Sequence, residues 1–197
     1  MLASISVEAL VGLKIREADL PDFIKEIKEN PQILYLKLGN SFFNNNLIEE
    51  SAELYRKAID TNSNFAPAYH NLGIAYYKQK RYNKAIEQFG KAIEANKSYA
   101  KAYSSLAVLY FELGGYGNAI THFQILTKLE PDNAGAHFDL AQSYVAGFRS
   151  DEKQEKENLG YLKQALFHLK KTVEIEPDFP NALTNMRVIE KVIKEMS

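Results

Sequence analysis

The strongest constraint in this chain is a period of 34 residues. Shifting the sequence by that offset carries Tyr35 onto Tyr69 and Tyr103, Leu38 onto Leu72, Leu106 and Leu140, and Phe42 onto Tyr76, Tyr110 and Tyr144. Small residues keep the same phase: Gly39, Gly73, Ala107 and Ala141 early in each copy, then Ser51, Ala85 and Ala119, with Tyr55, Phe89 and Phe123 four positions beyond. Large and small side chains that recur together at such a spacing imply stacked copies of one supersecondary unit. Three copies run without a gap over 32–65, 66–99 and 100–133, and a fourth spans 134–179 with a charged insert at 149–160.

Inside a copy the apolar residues fall at helical spacing, as in Tyr69, Leu72 and Tyr76 and then Ala85, Phe89, Ala92 and Ile93. Each copy is therefore two amphipathic helices. The breaks within copies are Asn44-Asn45-Asn46, Lys80-Arg81 and Gly114-Gly115. Those between copies are Thr61-Asn62-Ser63-Asn64, Asn96-Lys97-Ser98, Pro131-Asp132-Asn133 and Pro177-Asp178. The Asn, Ser and Asp side chains are expected to cap the helices that follow them. Gly73 opposite Ala85 is expected to let two backbones approach while Tyr69, Tyr76 and Phe89 fill the space around them. Outside the copies, residues 1–31 read as two short helices, with Val7, Leu10, Val11 and Ile15 separated from Phe23, Ile24 and Ile27 by Asp19-Leu20-Pro21. They would cap the stack, form a degenerate fifth unit, or lie in the groove of the same or another molecule. Residues 180–197 read as a closing helix carrying Leu183, Met186, Val188, Ile189 and Val192, since a stack needs a polar face at its end.

Composition narrows the chemistry. The 24 basic and 25 acidic residues leave a net charge of −1, which gives no surplus of positive charge to hold nucleic acid or an anionic membrane. There is no cysteine, so disulfides, thiol catalysis and Cys-ligated zinc are excluded. The longest apolar run lies near Leu106 to Phe111, well short of the roughly 20 residues needed to cross a bilayer. Met1 to Gly12 lacks a basic start and carries Glu8, so a secretion signal is not expected and a cytoplasmic location is. Gly114-Gly115-Tyr116-Gly117 lacks the following Lys-Ser/Thr and the preceding strand of a phosphate loop, and reads as a turn. His70, His122, His137 and His168 show no i, i+4 pair. His122 and His168 hold equivalent places in neighbouring copies, and packing is a simpler reading for them than a metal. No catalytic grouping and no cofactor are expected. The insert residues Ser150 to Glu157 read as a solvated loop or an extension of both hairpin helices rather than a docking element.

The pattern of an aromatic residue, then Leu-Gly, then Tyr, and later Ala and Phe resembles the tetratricopeptide repeat family. It is fullest in the second copy as Tyr69, Leu72-Gly73, Tyr76, Ala85, Phe89 and Ala92. Leu126 and Thr172 depart from it where a small residue is usual, Ser63 and Lys97 where Pro is, and His137 where an aromatic is. The resemblance implies an all-α, right-handed superhelix of about four helix pairs with terminal capping helices, acting as a non-enzymatic scaffold or adaptor for a protein or peptide partner. It also implies that the first helix of each copy lines a concave groove. The groove positions are then Leu36, Asn40, Phe43 and Asn44 in the first copy, and His70, Asn71, Ile74, Tyr77 and Lys78 in the second. The third supplies Lys101, Ser104, Ser105, Val108, Phe111 and Glu112, and the fourth Phe138, Gln142 and Val145. Phe43, Tyr77, Phe111 and Val145 share one phase; an apolar stripe of this kind either meets a partner or packs inward, and the groove reading is taken. Some family members hold a chaperone's C-terminal carboxylate, and Asn40, Asn71 and Lys101 match that set, whereas Leu36 and Ser105 replace its other Lys and Arg. Two further alternatives stay open: a homo-oligomeric platform assembled through residues 1–31, and a regulatory or targeting module of an enzyme complex.

Overall fold

The computed structural model describes residues 25–26, 28–150 and 155–196, and among them every regular element is an α-helix. The reading of residues 1–24 as helices lies outside the described residues. The chain divides into two compact units, 1–102 and 103–197.

The first unit holds α1 (Pro31–Asn44), α2 (Ile48–Thr61), α3 (Ala66–Lys78), α4 (Tyr82–Ala95) and the opening turn of α5 (Ala100–Glu112). Helix α1 packs on α2, α2 on α3 and α3 on α4, with a smaller contact between α1 and α3. Tyr55 and Phe89 fill the two hairpins and are both 2% exposed. Burying a side chain of that size stabilises by roughly 1.5–3 kcal/mol. What lies over Gly73 is the ring of Phe89, not the backbone around Ala85: a Cβ at Gly73 would stand 2.5 Å from Cε1 of that ring. Gly39 sits under Tyr55 in the same way, again at 2.5 Å. The small residue thus seats an aromatic ring from the partner helix close against the backbone.

The second unit holds the rest of α5 with α6 (Tyr116–Leu129), α7 (Ala134–Ser150), α8 (Glu155–Ile175) and α9 (Ala182–Met196). Here α6 packs on α7, α7 on α8 and α8 on α9. Leu126 and Thr172, which replace small residues, are both buried. The Thr172 hydroxyl donates to the carbonyl of His168 at 3.0 Å, so its polarity costs little inside the helix pair. Helix α9 buries Ala182 and Ile189 and leaves Leu183 and Val188 exposed.

The hairpin turns share one chemistry. Asn46, Lys80 and Gly114 occupy the same phase and all have positive φ, at 63°, 59° and 76°. Behind them the N–H of Leu47 bonds to the Phe42 carbonyl, that of Arg81 to Tyr76 and that of Gly115 to Tyr110, at 3.0, 2.9 and 2.8 Å. With the bonds that reach three residues back, from Asn46 to Phe43, Lys80 to Tyr77 and Gly114 to Phe111, each is a Schellman ending. The expected N-caps are mostly something else. Asn62 and Asn96 accept the N–H groups of Asn64 and Ser98, each at 2.9 Å, which turns the chain just after a helix instead of capping the next one. Asn133 does cap α7, accepting the Ala136 N–H at 2.9 Å.

Candidate functional site

In the first unit, Asn40, Phe43 and Asn44 of α1 and Asn71 and Ile74 of α3 line one cleft of 230 Å³ with Tyr55 of α2 at its back. Positions 40, 43 and 44 share a face of α1 because residues three and four apart are neighbours on a helix. The asparagines are joined: Asn71 Nδ2 donates to Asn40 Oδ1 at 2.7 Å, and the Tyr55 hydroxyl donates to the same oxygen at 2.9 Å. Burial pushes the Tyr55 phenol up to about 12, so it remains a donor at any ordinary pH. With its carbonyl doubly engaged, Asn40 presents its amide N–H₂, and Asn71 a second amide hydrogen, as the polar donors of the cleft.

The other expected residues of this unit are placed differently. His70 is 6% exposed, lying 5.6 Å from Phe89 and 5.5 Å from Tyr99 with Nδ1 at 3.2 Å from Asn71 Oδ1. It is a packing residue that props Asn71, a correction to its placement in a groove. Burial and, to a smaller degree, the Lys101 charge hold its imidazole below the usual range, against the opposing bond to Asn71. Tyr77 is half-buried and leans on Tyr82, with centroids 5.9 Å apart. Leu36 is half-buried, and Lys78 and Lys101 are exposed, but none of the three lines the cleft.

In the second unit Val108 is 40% exposed, Ser104 half-buried and Phe111 half-buried against Tyr116 at 5.4 Å. Phe138 packs on Phe179 at 4.9 Å. Gln142 and Val145 line a separate cleft of 160 Å³ with Ala141, Leu169, Asn185, Val188 and Ile189. The four residues of the apolar stripe, Phe43, Tyr77, Phe111 and Val145, are thus all half-buried, and Val108, outside that phase, is the more open position.

Two features went unseen in the sequence. In the sequence Tyr55 is only a large residue in phase with Phe89 and Phe123, yet its hydroxyl donates to Asn40 Oδ1 and orients that side chain. The histidines, which show no i, i+4 pair along the chain, include a close pair between helices: His137 Nδ1 and His168 Nδ1 are 2.9 Å apart and both residues are buried. The register held a signal for this. His137 stands where Tyr103 does, and His168 where His122 does, and Tyr103 and His122 are themselves neighbours at 6.2 Å. Among the described residues no group of three or more His, Cys, Asp or Glu side chains could hold a metal ion, and no helix is long and apolar enough to cross a membrane.

Comparison with known proteins agrees with the helix-pair geometry. The pattern described as TPR repeat matches residues 39–80 and 75–114, and that described as tetratricopeptide repeat matches 104–152. No curated protein gives a significant match. Among solved structures, YrrB, described as a TPR protein with an unusual peptide-binding site, is 25% identical with a TM-score of 0.67, over 88% of this chain and 86% of that one. MamA is 25% identical with a TM-score of 0.62, over 79% of this chain and 85% of that one. The first TPR of Spaghetti (RPAP3), bound to the HSP90 peptide SRMEEVD, is 26% identical with a TM-score of 0.54, over 57% of this chain and 89% of that one. With the repeat register, the paired helices and two family patterns in agreement, the chain belongs to the tetratricopeptide repeat family.

Proposed function

We propose that this protein is a non-enzymatic adaptor that holds a segment of a partner protein against the first helices of its repeats. The observation that carries this reading is the cleft of the first unit, where the donors of Asn40 and Asn71 stand beside the apolar walls of Phe43 and Ile74. An extended peptide offers carbonyl oxygens at regular intervals and side chains on alternate sides, which suits fixed amide donors flanked by apolar surface. Leu36 stands where carboxylate-holding relatives have a Lys, so a backbone carbonyl of the partner fits the two asparagines better than a terminal carboxylate does. The peptide-binding site described for YrrB and the HSP90 peptide bound by the first TPR of Spaghetti support a peptide as the class of ligand here.

The test is affinity capture with the full chain and with the Phe43→Ala/Ile74→Ala double variant, followed by titration calorimetry of any partner recovered. Partners lost by the double variant, at unchanged helix content and with affinity weakened by tenfold or more, support the cleft; each tenfold is about 1.4 kcal/mol. Equal retention of every partner by both proteins overturns it.

A further inference from the structure

The second unit contains a buried histidine pair that the adaptor function does not use. His137 is 7% and His168 9% exposed, and their Nδ1 atoms are 2.9 Å apart. His137 Nε2 lies 3.1 Å from the carbonyl oxygen of Pro131, an acceptor with no hydrogen to give. That nitrogen must therefore carry a proton. A neutral imidazole has only one, so His137 Nδ1 offers a bare lone pair and the hydrogen between the rings belongs to His168 Nδ1. The turn before α7, α7 itself and α8 are thus tied by one chain of bonds running from His168 to His137 to Pro131.

The surroundings restrict how this chain can change. From the turn, Asp132 lines the cleft of 590 Å³ beside the pair, and from α8 Lys171 and Glu174 do, paired with each other at 2.6 Å. Helix α6 contributes Thr127 to that cleft. Tyr144 of α7 stacks on His168 at 6.0 Å, and Phe167 meets it edge-on at 5.0 Å. Asp139 of α7 is exposed, and towards α9 the charges of Lys170 and Glu190 face each other at 3.7 Å. Among the described residues no carboxylate is bonded to either ring.

We propose that His137 and His168 form a two-step proton latch on the α7–α8 hairpin, closed in the neutral and singly protonated pair and opened by the second proton. One added proton leaves a donor on one Nδ1 and a lone pair on the other, so the bond survives and becomes charge-assisted. A second proton places an N–H on both facing atoms and two positive charges on adjoining buried rings. The bond is then replaced by repulsion, and the hairpin must part to hydrate them. Burial and, next, the charge of His137 hold the His168 imidazole down at about 4.

The test is long-range 1H–15N correlation of the imidazole rings in the full chain from pH 8 to pH 3.5, with amide exchange followed in parallel. Expected at pH 8 are His137 protonated on Nε2 and His168 on Nδ1. Two separate titration steps should follow, with exchange in α7 and α8 rising roughly tenfold or more, after correction for intrinsic rates, only across the lower step. His168→Gln keeps a donor without the charge and should remove the lower rise. The proposal is overturned if His137 carries its proton on Nδ1 at pH 8, if both rings titrate in one step, or if α7 and α8 open with the first proton. The ring spectra of the unaltered protein decide the matter even if His168→Gln does not fold.

Discussion

The ring of Phe89 lies on the backbone of Gly73, so close that a methyl group there would stand 2.5 Å from Cε1 and 2.6 Å from Cδ1. Phe89 is buried and cannot swing away. Gly73→Ala is therefore expected to destabilise despite the better helix propensity of Ala, by about 1–3 kcal/mol, as overpacked cores do. Gly90, also within a helix, has nothing within 4 Å of its added Cβ, and Gly90→Ala should stabilise by about 0.5–1 kcal/mol. Urea denaturation of both variants checks the contrast. Coupling between Gly73→Ala and Phe89→Leu in a double-mutant cycle would place the strain in this contact.

Lys80 has φ of 59°, where an L side chain is strained, while the equivalent position in the next copy is Gly114. The Schellman bonds behind it hold that conformation in place. Lys80→Gly should raise stability by about 0.5–1 kcal/mol, as relief of the left-handed strain exceeds the added entropy of the unfolded chain. Gly114→Ala should lower it by a similar amount. Thermal melts of the pair should shift in opposite directions.

The repeat was legible because its signal is one-dimensional: Leu38, Leu72, Leu106 and Leu140 keep phase and all four are buried. What the period could not convey is which way a residue leans when it belongs to the same face as the groove. His70 shares a phase with Leu36, Ser104 and Phe138, yet it is closed in by Phe89 and Tyr99. Asn40 and Asn71 were legible as polar positions on first helices, but their mutual bond depends on the spacing between α1 and α3, which no spacing along the chain encodes. The histidine pair was divided in the same manner, one member on a first helix and the other on a second, with the insert between them stretching their separation to 31 residues.

Tyr77 and Phe111 make the same contact one repeat apart, on Tyr82 and Tyr116 respectively, and both are half-buried. Such a residue should cost less to truncate than a fully enclosed ring. Tyr77→Ala and Phe111→Ala are each expected to lose about 1–3 kcal/mol, whereas Phe89→Ala should lose about 3–5 kcal/mol. Helix content should remain near that of the parent in the first two. If either matches the loss at Phe89 in urea melts, its ring belongs to the core and the groove assignment of that position fails.

Acid should weaken this fold in a defined window. Burial holds the imidazoles of His70 and His122 below their usual range, and burial with the His137 charge holds that of His168 at about 4. Each is more readily protonated in the unfolded chain, so the unfolded state binds more protons once the pH falls below about 6.5. Stability from these groups is therefore complete above that pH and declines as the pH falls, and for His168 the decline is complete once the pH has passed about 4. For His168 alone the full loss amounts to about 3 kcal/mol. The diagnostic interval is pH 6.5 to 5, where most carboxylates remain ionised. His122 Nδ1 is buried without a hydrogen-bond partner and its ring stacks on Tyr110 at 5.7 Å, so His122→Phe should preserve the stack while removing one titrating group. Urea midpoints measured at pH 7.5 and pH 5 should fall less for that variant than for the parent. An equal fall in both would show that His122 contributes nothing to the acid sensitivity and that the loss resides in the other two rings.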